Sequence, residues 1–218
     1  EMCIRDSPNR ELQYLRGGEV DLDPLAEGAT LEKSAFLLGA LELVDRCRPL
    51  ATEGLARQES PAESNLFEVC GRFVRMLSSP TCNRPDLVFF AFEWELLVRH
   101  GMAPEVSSCV ACGRALAELD LTTLRFDAAE GGIMCGACVL SDGRTGGRLL
   151  TVGVLDRLRD LATAGIETDD SLAEGPSLPR QERRELGGLL HRFLGYHLPG
   201  YRLPAALELL RAGRNGTA

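Results

Sequence analysis

The sequence predicts a mainly α-helical fold, a helical bundle with an inserted four-cysteine module and a short β-hairpin in front of it. Apolar residues recur every three or four positions through most of residues 29–105 and 143–218, which is the period of an α-helix. Residues 106–142 lack this period and hold two pairs of cysteines. We therefore expect one helical domain in two parts, separated by the module and preceded by a leader and hairpin over residues 1–28.

Bulk composition limits the class of protein. The chain of 218 residues is 44% hydrophobic and 26% charged, which is ordinary for a globular protein. It holds no apolar run long enough to cross a membrane, and residues 1–6 lack the apolar core of a secretory signal. We therefore expect a cytoplasmic protein without a membrane partner, whose cysteines stay reduced. The net charge of −8 argues against coating nucleic acid by bulk attraction.

The start of the chain carries a weak β pattern. Residues 10–23 alternate apolar and polar side chains around Gly17-Gly18, which predicts a short hairpin. Because an isolated hairpin is marginal in water, it must lean on another element or be the remnant of a larger sheet. Residues 1–8 show no periodicity and carry no structural expectation.

The helices follow in order. The first begins after the N-cap Thr30. The second begins after Ser60, which has capping-box spacing to Glu63 and is followed by Pro61 at the first helical position. The second helix is predicted to bury Leu66, Phe67, Cys70, Phe73, Val74 and Leu77. The third, from about Pro85 to His100 with Gly101 as its C-cap, is apolar nearly all round, which indicates the centre of the bundle. The remaining helices are predicted over residues 151–165, 180–198 and 204–212.

The cysteine pairs predict a metal site. Cys109-x-x-Cys112 is followed, after 22 residues, by Cys135-x-x-Cys138, and this spacing is typical of zinc modules. Phe126 and Gly131-Gly132 predict a small hairpin between the pairs. Four thiolates complete the tetrahedron that zinc prefers and leave no open position for water. The expected cofactor is therefore a structural Zn²⁺ held by this cysteine quartet (Cys109, Cys112, Cys135 and Cys138).

Cys-x-x-Cys pairs also occur in two other kinds of site, redox-active pairs and iron–sulfur clusters. A redox Cys-x-x-Cys pair needs a strand-to-helix setting, which the surrounding pattern does not indicate. An iron–sulfur cluster is possible from the ligand type alone, but the spacing favours zinc.

Nothing in the sequence indicates catalysis. The only histidines are His100, His191 and His197, and no phosphate loop, metalloprotease or nucleophile-elbow motif is present. We therefore expect a protein that binds and does not catalyse.

The C-terminal part is basic. Residues 176–218 hold seven arginines and three glutamates. Solvated helix faces explain such a run in most proteins, but arginine also binds phosphate and carboxylate through its planar fork. Candidate contacts to phosphate or to an acidic peptide form the predicted arginine set, Arg180, Arg183, Arg192 and Arg202.

Three segments resemble the bacterial DNA repair protein family RecO. Residues 92–97 (FEWELL) lead through 101–105 (GMAPE) into the first cysteine pair. Phe126 and Gly131-Gly132 precede the second pair, and residues 192–198 (RFLGYHL) resemble the family's final helices, as do residues 207–210 (LELL). The resemblance covers about residues 10–212 and keeps the family's order and spacing.

The resemblance implies a recombination mediator that binds single- and double-stranded DNA and promotes annealing. It also implies binding of the acidic tail of the single-stranded DNA-binding protein, and joint action with RecR in loading RecA, in the cytoplasm at the nucleoid. RecO proteins combine an N-terminal OB-fold, a helical domain and, in many members, this zinc module, so the hairpin here is expected to be an OB-fold remnant. The quartet matches the family's zinc ligands position by position.

Two further functions stay open at this stage. A zinc-containing regulator that reads duplex DNA would need a helix rich in arginine, asparagine and glutamine, and only the start of the helix at Arg180 approaches that composition. A zinc-dependent hydrolase would need a ligand position left open for water.

Overall fold

The computed structural model describes residues 4–5, 14–15, 23, 29–47, 61–141, 147–168, 170–198 and 200–215. Their α-helices are α1 Leu31–Cys47, α2 Pro61–Ser78, α3 Pro85–Arg99, α4 Gly136–Ser141, α5 Val152–Thr168, α6 Arg180–His197 and α7 Ala205–Asn215. The strands are β1 Ile4–Arg5, β2 Tyr14–Leu15, β3 Arg125–Asp127, β4 Gly132–Met134 and β5 Arg148–Leu149. The predicted fold class, mainly helical with a four-cysteine module, is confirmed.

Helix α3 lies at the centre of the bundle. It packs against α1, α2, α5 and α6, because its apolar side chains point in every direction. The Phe89 ring lies 5.1 Å from Phe36 of α1, and the Phe92 ring lies 4.7 Å from Phe73 of α2. Pro85 occupies the first helical turn, and Gly101 ends the helix with a φ of 67°. The predicted central helix and its glycine stop are confirmed.

Helix α1 has the predicted N-cap. The hydroxyl oxygen of Thr30 accepts a hydrogen bond of 3.1 Å from the backbone N–H of Lys33, which satisfies a donor that the first helical turn would otherwise leave unpaired. The proposed cap of α2, Ser60, lies outside the described residues.

The predicted buried face of α2 is wrong at one position. Phe67 is 74% exposed, whereas Val69 and Phe73 are buried against α3. Phe67 lies about 120° around the helix from Phe73, on the exposed face of α2. The predicted set follows hydrophobicity and therefore includes a side chain from the outer face.

The predicted end of α5 is also wrong. The helix passes through Gly165 and ends at Thr168, because Ile166 is fully buried and anchors the last turn in the core. A glycine inside a helix costs only about 1 kcal/mol, less than burying an isoleucine side chain contributes.

The first strands differ from the predicted hairpin. Tyr14–Leu15 form a strand, but they pair antiparallel with Ile4–Arg5 of the leader. The leader, for which the sequence carries no structural expectation, thus holds a strand, because backbone pairing does not require a side-chain pattern. The Gly17-Gly18 turn lies outside the described residues. The division of the chain into parts 1–28, 29–105, 106–142 and 143–218 stays a prediction.

The remaining sheet is formed by two strands of the cysteine module, β3 and β4, and by β5, which follows the predicted end of the module at residue 142. Strands β4, β3 and β5 lie side by side in that order and pair antiparallel. Among the helices that the structure describes, none is both long and apolar enough to cross a bilayer.

Candidate metal centre

The first cysteine pair lies in a tight turn. The N–H of Gly113 donates to the carbonyl of Cys109 over 2.8 Å, and the N–H of Cys109 donates to the carbonyl of Arg114 over 2.9 Å. Gly113 adopts a φ of 71°, a conformation that a side chain disfavours. This turn places the sulfurs of Cys109 and Cys112 on the same side of the backbone.

The second pair lies where β4 ends and α4 begins. This is the strand-to-helix setting that the sequence does not indicate, so that expectation is wrong for Cys135 and Cys138, although all four sulfurs still converge in the quartet. Cys135 directly precedes the helix, and Cys138 lies in its first turn, so the helical geometry sets the separation of the two sulfurs. A Cβ atom on Gly136 would lie 2.6 Å from the side chain of Thr123. Glycine is therefore required for α4 to start this close to the chain before β3.

The predicted hairpin holds the two pairs together. The hairpin forms with Phe126 of β3 paired with Ile133 of β4. The turn between the strands passes through Gly131, which has a φ of 87°, as predicted, whereas Gly132 already belongs to β4. The N–H of Ile133 donates to Glu105, and the carbonyl of Ile133 accepts from Val110, each over 2.9 Å. The segment that carries the first pair is thus hydrogen-bonded to the strand that leads into the second.

The quartet has the dimensions of a four-sulfur metal site. Its four sulfur atoms all lie within 4.8 Å of one another, and Sγ of Cys112 lies 3.9 Å from Sγ of Cys135. A tetrahedron with zinc–sulfur bonds of about 2.3 Å has sulfur–sulfur distances of about 3.8 Å. The quartet fits a tetrahedral metal ion with little rearrangement.

The surroundings of the cysteine thiols shift their pKa values in different directions. The backbone N–H and the guanidinium of Arg114 lower the pKa of Cys112 to about 6. Burial acts to raise the pKa of Cys109, but backbone N–H donors led by that of Cys135 outweigh it, so the pKa of Cys109 is lowered. The neighbouring Cys135 sulfur and burial raise the pKa of Cys138 to about 12. The raised pKa of Cys138 favours its thiol form, and a bound divalent metal would favour the thiolate form of all four cysteines.

The predicted arginine set does not form one cluster. The guanidinium of Arg183 lies 3.5 Å from the buried carboxylate of Asp86 and 3.6 Å from that of Glu32, so it pairs within the bundle. Arg180, Arg192 and Arg202 are exposed. Arg183 and Arg192 are nine residues apart on α6, which places them on opposite faces of the helix.

Arg114 is a site residue that reasoning from the sequence missed. Its Nη2 lies 3.8 Å from Sγ of Cys135, so its positive charge stands beside the sulfurs. The sequence indicates a role for Arg114 only through its position directly after Cys112-Gly113, since the carbonyl of that residue accepts a hydrogen bond from Cys109 in the first cysteine turn.

The fold and the site define a class, a helical-bundle protein with a four-cysteine module between its third and fifth helices. The family model described as "Recombination protein O C terminal" matches residues 29–206, more than half of the chain. The chain belongs to this RecO family, and the resemblance stated from the sequence is confirmed.

Individual relatives agree with this assignment. A "DNA repair protein RecO" of Anaeromyxobacter sp. (strain K) is 31% identical over 165 residues, which cover 76% of this chain and 61% of the relative. Another of the same name, from Desulfatibacillum aliphaticivorans, is 29% identical over 155 residues, covering 71% of this chain and 56% of the relative. The chain thus spans about three fifths of the length of the curated relatives it matches.

Proposed function

We propose that this chain is part of a recombinational DNA repair mediator that acts by binding DNA and partner proteins, without catalysing a reaction. The observation that carries this proposal is the family match over residues 29–206. Similar proteins bear the name "DNA repair protein RecO". The proposed activity is annealing of complementary strands, with binding of both single- and double-stranded DNA.

The proposed cofactor is one structural Zn²⁺ held by the quartet. The four sulfurs lie close enough for tetrahedral coordination and supply the donor atoms that zinc favours. When bound, zinc would offset part of the negative charge of the four thiolates and crosslink the two cysteine turns. Because four protein ligands fill a tetrahedron, water has no position on the ion, which argues against a zinc-dependent hydrolase.

The proposed protein partners are the single-stranded DNA-binding protein, through its acidic tail, and RecR, with RecA loading as the outcome. A cavity of about 330 Å³ beside the end of α2 supports binding of an acidic peptide. Its lining includes the buried Met76 and Ala173. Arg72 and Arg75 also line it, together with one acidic residue, Glu174. Arginine beside an apolar lining suits a carboxylate next to an apolar side chain. The proposed location is the cytoplasm, at the nucleoid.

Strand annealing tests the proposed activity. Purified chain is mixed with complementary labelled oligonucleotides, and duplex formation is followed by energy transfer at low and high salt. We expect faster annealing at low salt and loss of the effect at high salt, because phosphate contacts release counterions. Unchanged annealing at every salt concentration, together with no binding of either strand, would contradict the proposal.

A footprint on genomic duplex fragments tests the alternative, a sequence-specific zinc-containing regulator. Such a regulator protects one short sequence and discriminates it strongly from others. For this chain we expect instead that all sequences of the duplex fragments are protected to the same extent. One protected sequence without any annealing would favour the regulator.

Partner binding is tested in a separate experiment. A labelled peptide copy of the acidic tail is titrated with the chain, and fluorescence anisotropy measures the binding. We expect weak, salt-sensitive binding, and we expect Arg75→Gln to reduce it. Arg180→Gln tests the arginine set predicted from the sequence. No binding at low salt would remove the peptide from the proposal and leave the annealing activity untouched.

A further inference from the structure

An open groove lies between the cysteine module and α6. It encloses about 480 Å³, within the range of about 300–1,000 Å³ typical of small-molecule sites. Residues 126–129 of the hairpin line one side, and Arg192, Gly195 and Tyr196 of α6 line the other. Gly147 is also among the lining residues. Gly195 contributes no side chain, which leaves the space between the two sides open.

The two sides of this groove are fixed to each other. The Phe126 ring packs edge-to-face on Phe193 with centroids 5.8 Å apart. Nε2 of His197 lies 2.7 Å from the carbonyl oxygen of Ala128, and the His197 ring lies 4.2 Å from Phe193. The groove is therefore a preformed feature of the fold.

An exposed aromatic ring and an arginine share the α6 side. Tyr196 is 62% exposed, although a tyrosine ring is largely apolar and is usually at least partly covered. Arg192 precedes it by four residues, so both side chains emerge on the same face of the helix. This pairing offers a flat stacking surface beside a positive charge.

The sheet adds a second positive charge. Arg148 pairs directly with Phe126 across β3 and β5, so its exposed side chain emerges on the face of the sheet that carries Phe126. The acidic residue in the groove is Asp127, whose Oδ1 accepts hydrogen bonds from the N–H groups of Ala129 over 2.9 Å and Glu130 over 3.4 Å. Arg192 lines the groove, and Arg148 is an exposed residue on the strand next to Phe126, while the Asp127 carboxylate is bonded to its own turn.

We propose that this groove binds single-stranded DNA, with one base stacked on Tyr196 and adjacent phosphates held by Arg192 and Arg148. Positive charge along a groove with an exposed aromatic ring is the arrangement that binds single strands without sequence preference. A paired base is stacked on its neighbours and cannot present its face to Tyr196. The inference rests on the proposed DNA-binding function and adds a site within this chain, with one member of the predicted arginine set, Arg192, in it.

The test separates base stacking from charge. The full chain is titrated with labelled oligothymidylate and with an abasic oligonucleotide of equal length, which carries the same phosphates without bases. We expect the chain to bind oligothymidylate about tenfold more tightly, because stacking of one base contributes roughly 1–3 kcal/mol.

The variants assign each contribution. Tyr196→Ala should remove the preference for oligothymidylate and leave abasic binding unchanged, while Tyr196→Phe should keep the preference. Arg192→Gln should weaken both ligands and reduce the salt slope by about 0.7. Arg184→Gln, the same charge change at another exposed position of α6, is the matched control and should change affinity less than about twofold.

The failures are distinguishable. If the chain prefers oligothymidylate and Tyr196→Ala retains that preference, the groove is not the site of base stacking, while the proposed DNA-binding function stands. If Arg192→Gln and Arg184→Gln weaken oligonucleotide binding equally, the proposed binding site is also wrong, since the affinity would then depend on net charge alone. If the wild-type chain binds neither oligonucleotide at low salt, the proposed function fails for this chain, and the groove with it.

Discussion

The helical bundle and the cysteine module are held together in different ways. In the bundle, α3 is buried on all sides, and aromatic contacts such as Phe73–Phe92 join it to its neighbours. The module has strands of two or three residues and short 3-10 turns, too little regular structure to fold alone. Its two cysteine turns converge at the quartet.

This comparison shows how one chain can combine two kinds of stability. Apolar burial distributes the bundle's stability over many contacts, each contributing a few kcal/mol. The module also has buried residues, Phe126 and Ile133 among them, but its two cysteine turns meet at the quartet, where a bound metal would join them. Loss of metal should therefore act on the module, and loss of an apolar contact on the bundle.

The largest expected effect is metal removal. Binding of structural zinc contributes about 10–16 kcal/mol in small zinc modules, so chelation or Cys135→Ser should unfold residues 106–141. We expect proteases to cut there, while the circular dichroism of the helices changes little. Simultaneous loss of all helices on chelation would contradict the proposed difference between the two regions.

The second effect concerns the bundle alone. Phe89 is fully buried and packs on the rings of Phe36 and Phe73, so Phe89→Ala should lower the free energy of unfolding by about 3–5 kcal/mol. The matched control is Phe67→Ala, because Phe67 is exposed and should change it by no more than about 0.5 kcal/mol. Chemical denaturation measures both, and equal effects would place Phe67 in the core.

A pair of glycines sharpens the comparison further. A Cβ atom on Gly132 would lie 2.3 Å from the carbonyl oxygen of Glu105, so Gly132→Ala should destabilise the module by about 1–3 kcal/mol and weaken metal retention. A Cβ atom on Gly188 of α6 would meet no atom of a neighbouring element within 4 Å. Gly188→Ala should be neutral or stabilise the helix by up to about 1 kcal/mol. Competition with a chromophoric chelator measures retention, and equal retention in both variants would count against the close approach at Gly132.

The smallest effect is a pH dependence of the bundle. Burial raises the pKa of Asp86 above its ordinary 3.8, although Arg183 opposes the shift. The folded state therefore binds more protons than the unfolded state between 3.8 and the raised value, so stability falls as pH rises through that window. Asp86→Asn should remove this slope in denaturation series at several pH values. An unchanged slope would assign the dependence to another group.

Structural features that have one dominant physical cause could be predicted from the sequence. The quartet follows from ligand spacing, α3 from its continuous apolar composition, and the cap at Thr30 from local hydrogen bonding. In each case neighbours in the chain carry most of the information. The same holds for the hairpin around Gly131, where a positive φ favours glycine.

The remaining features depend on contacts between distant segments. The exposure of Phe67 depends on which face of α2 meets α3, and the passage of α5 through Gly165 depends on the burial of Ile166. The groove beside Tyr196 exists because His197 and Phe193 pack on a hairpin from the middle of the chain. No local pattern indicates such packing, so a set of arginines alone could not distinguish Arg192 from Arg183.

X-ray absorption at the zinc K edge of the purified chain tests the central claim most directly, because it reports the metal and its ligands together. We expect one zinc ion per chain, bound to four sulfur atoms at about 2.3 Å. A first shell with nitrogen or oxygen ligands, or a metal-free chain whose residues 106–141 remain folded, would contradict the claim that the quartet holds the module together through zinc.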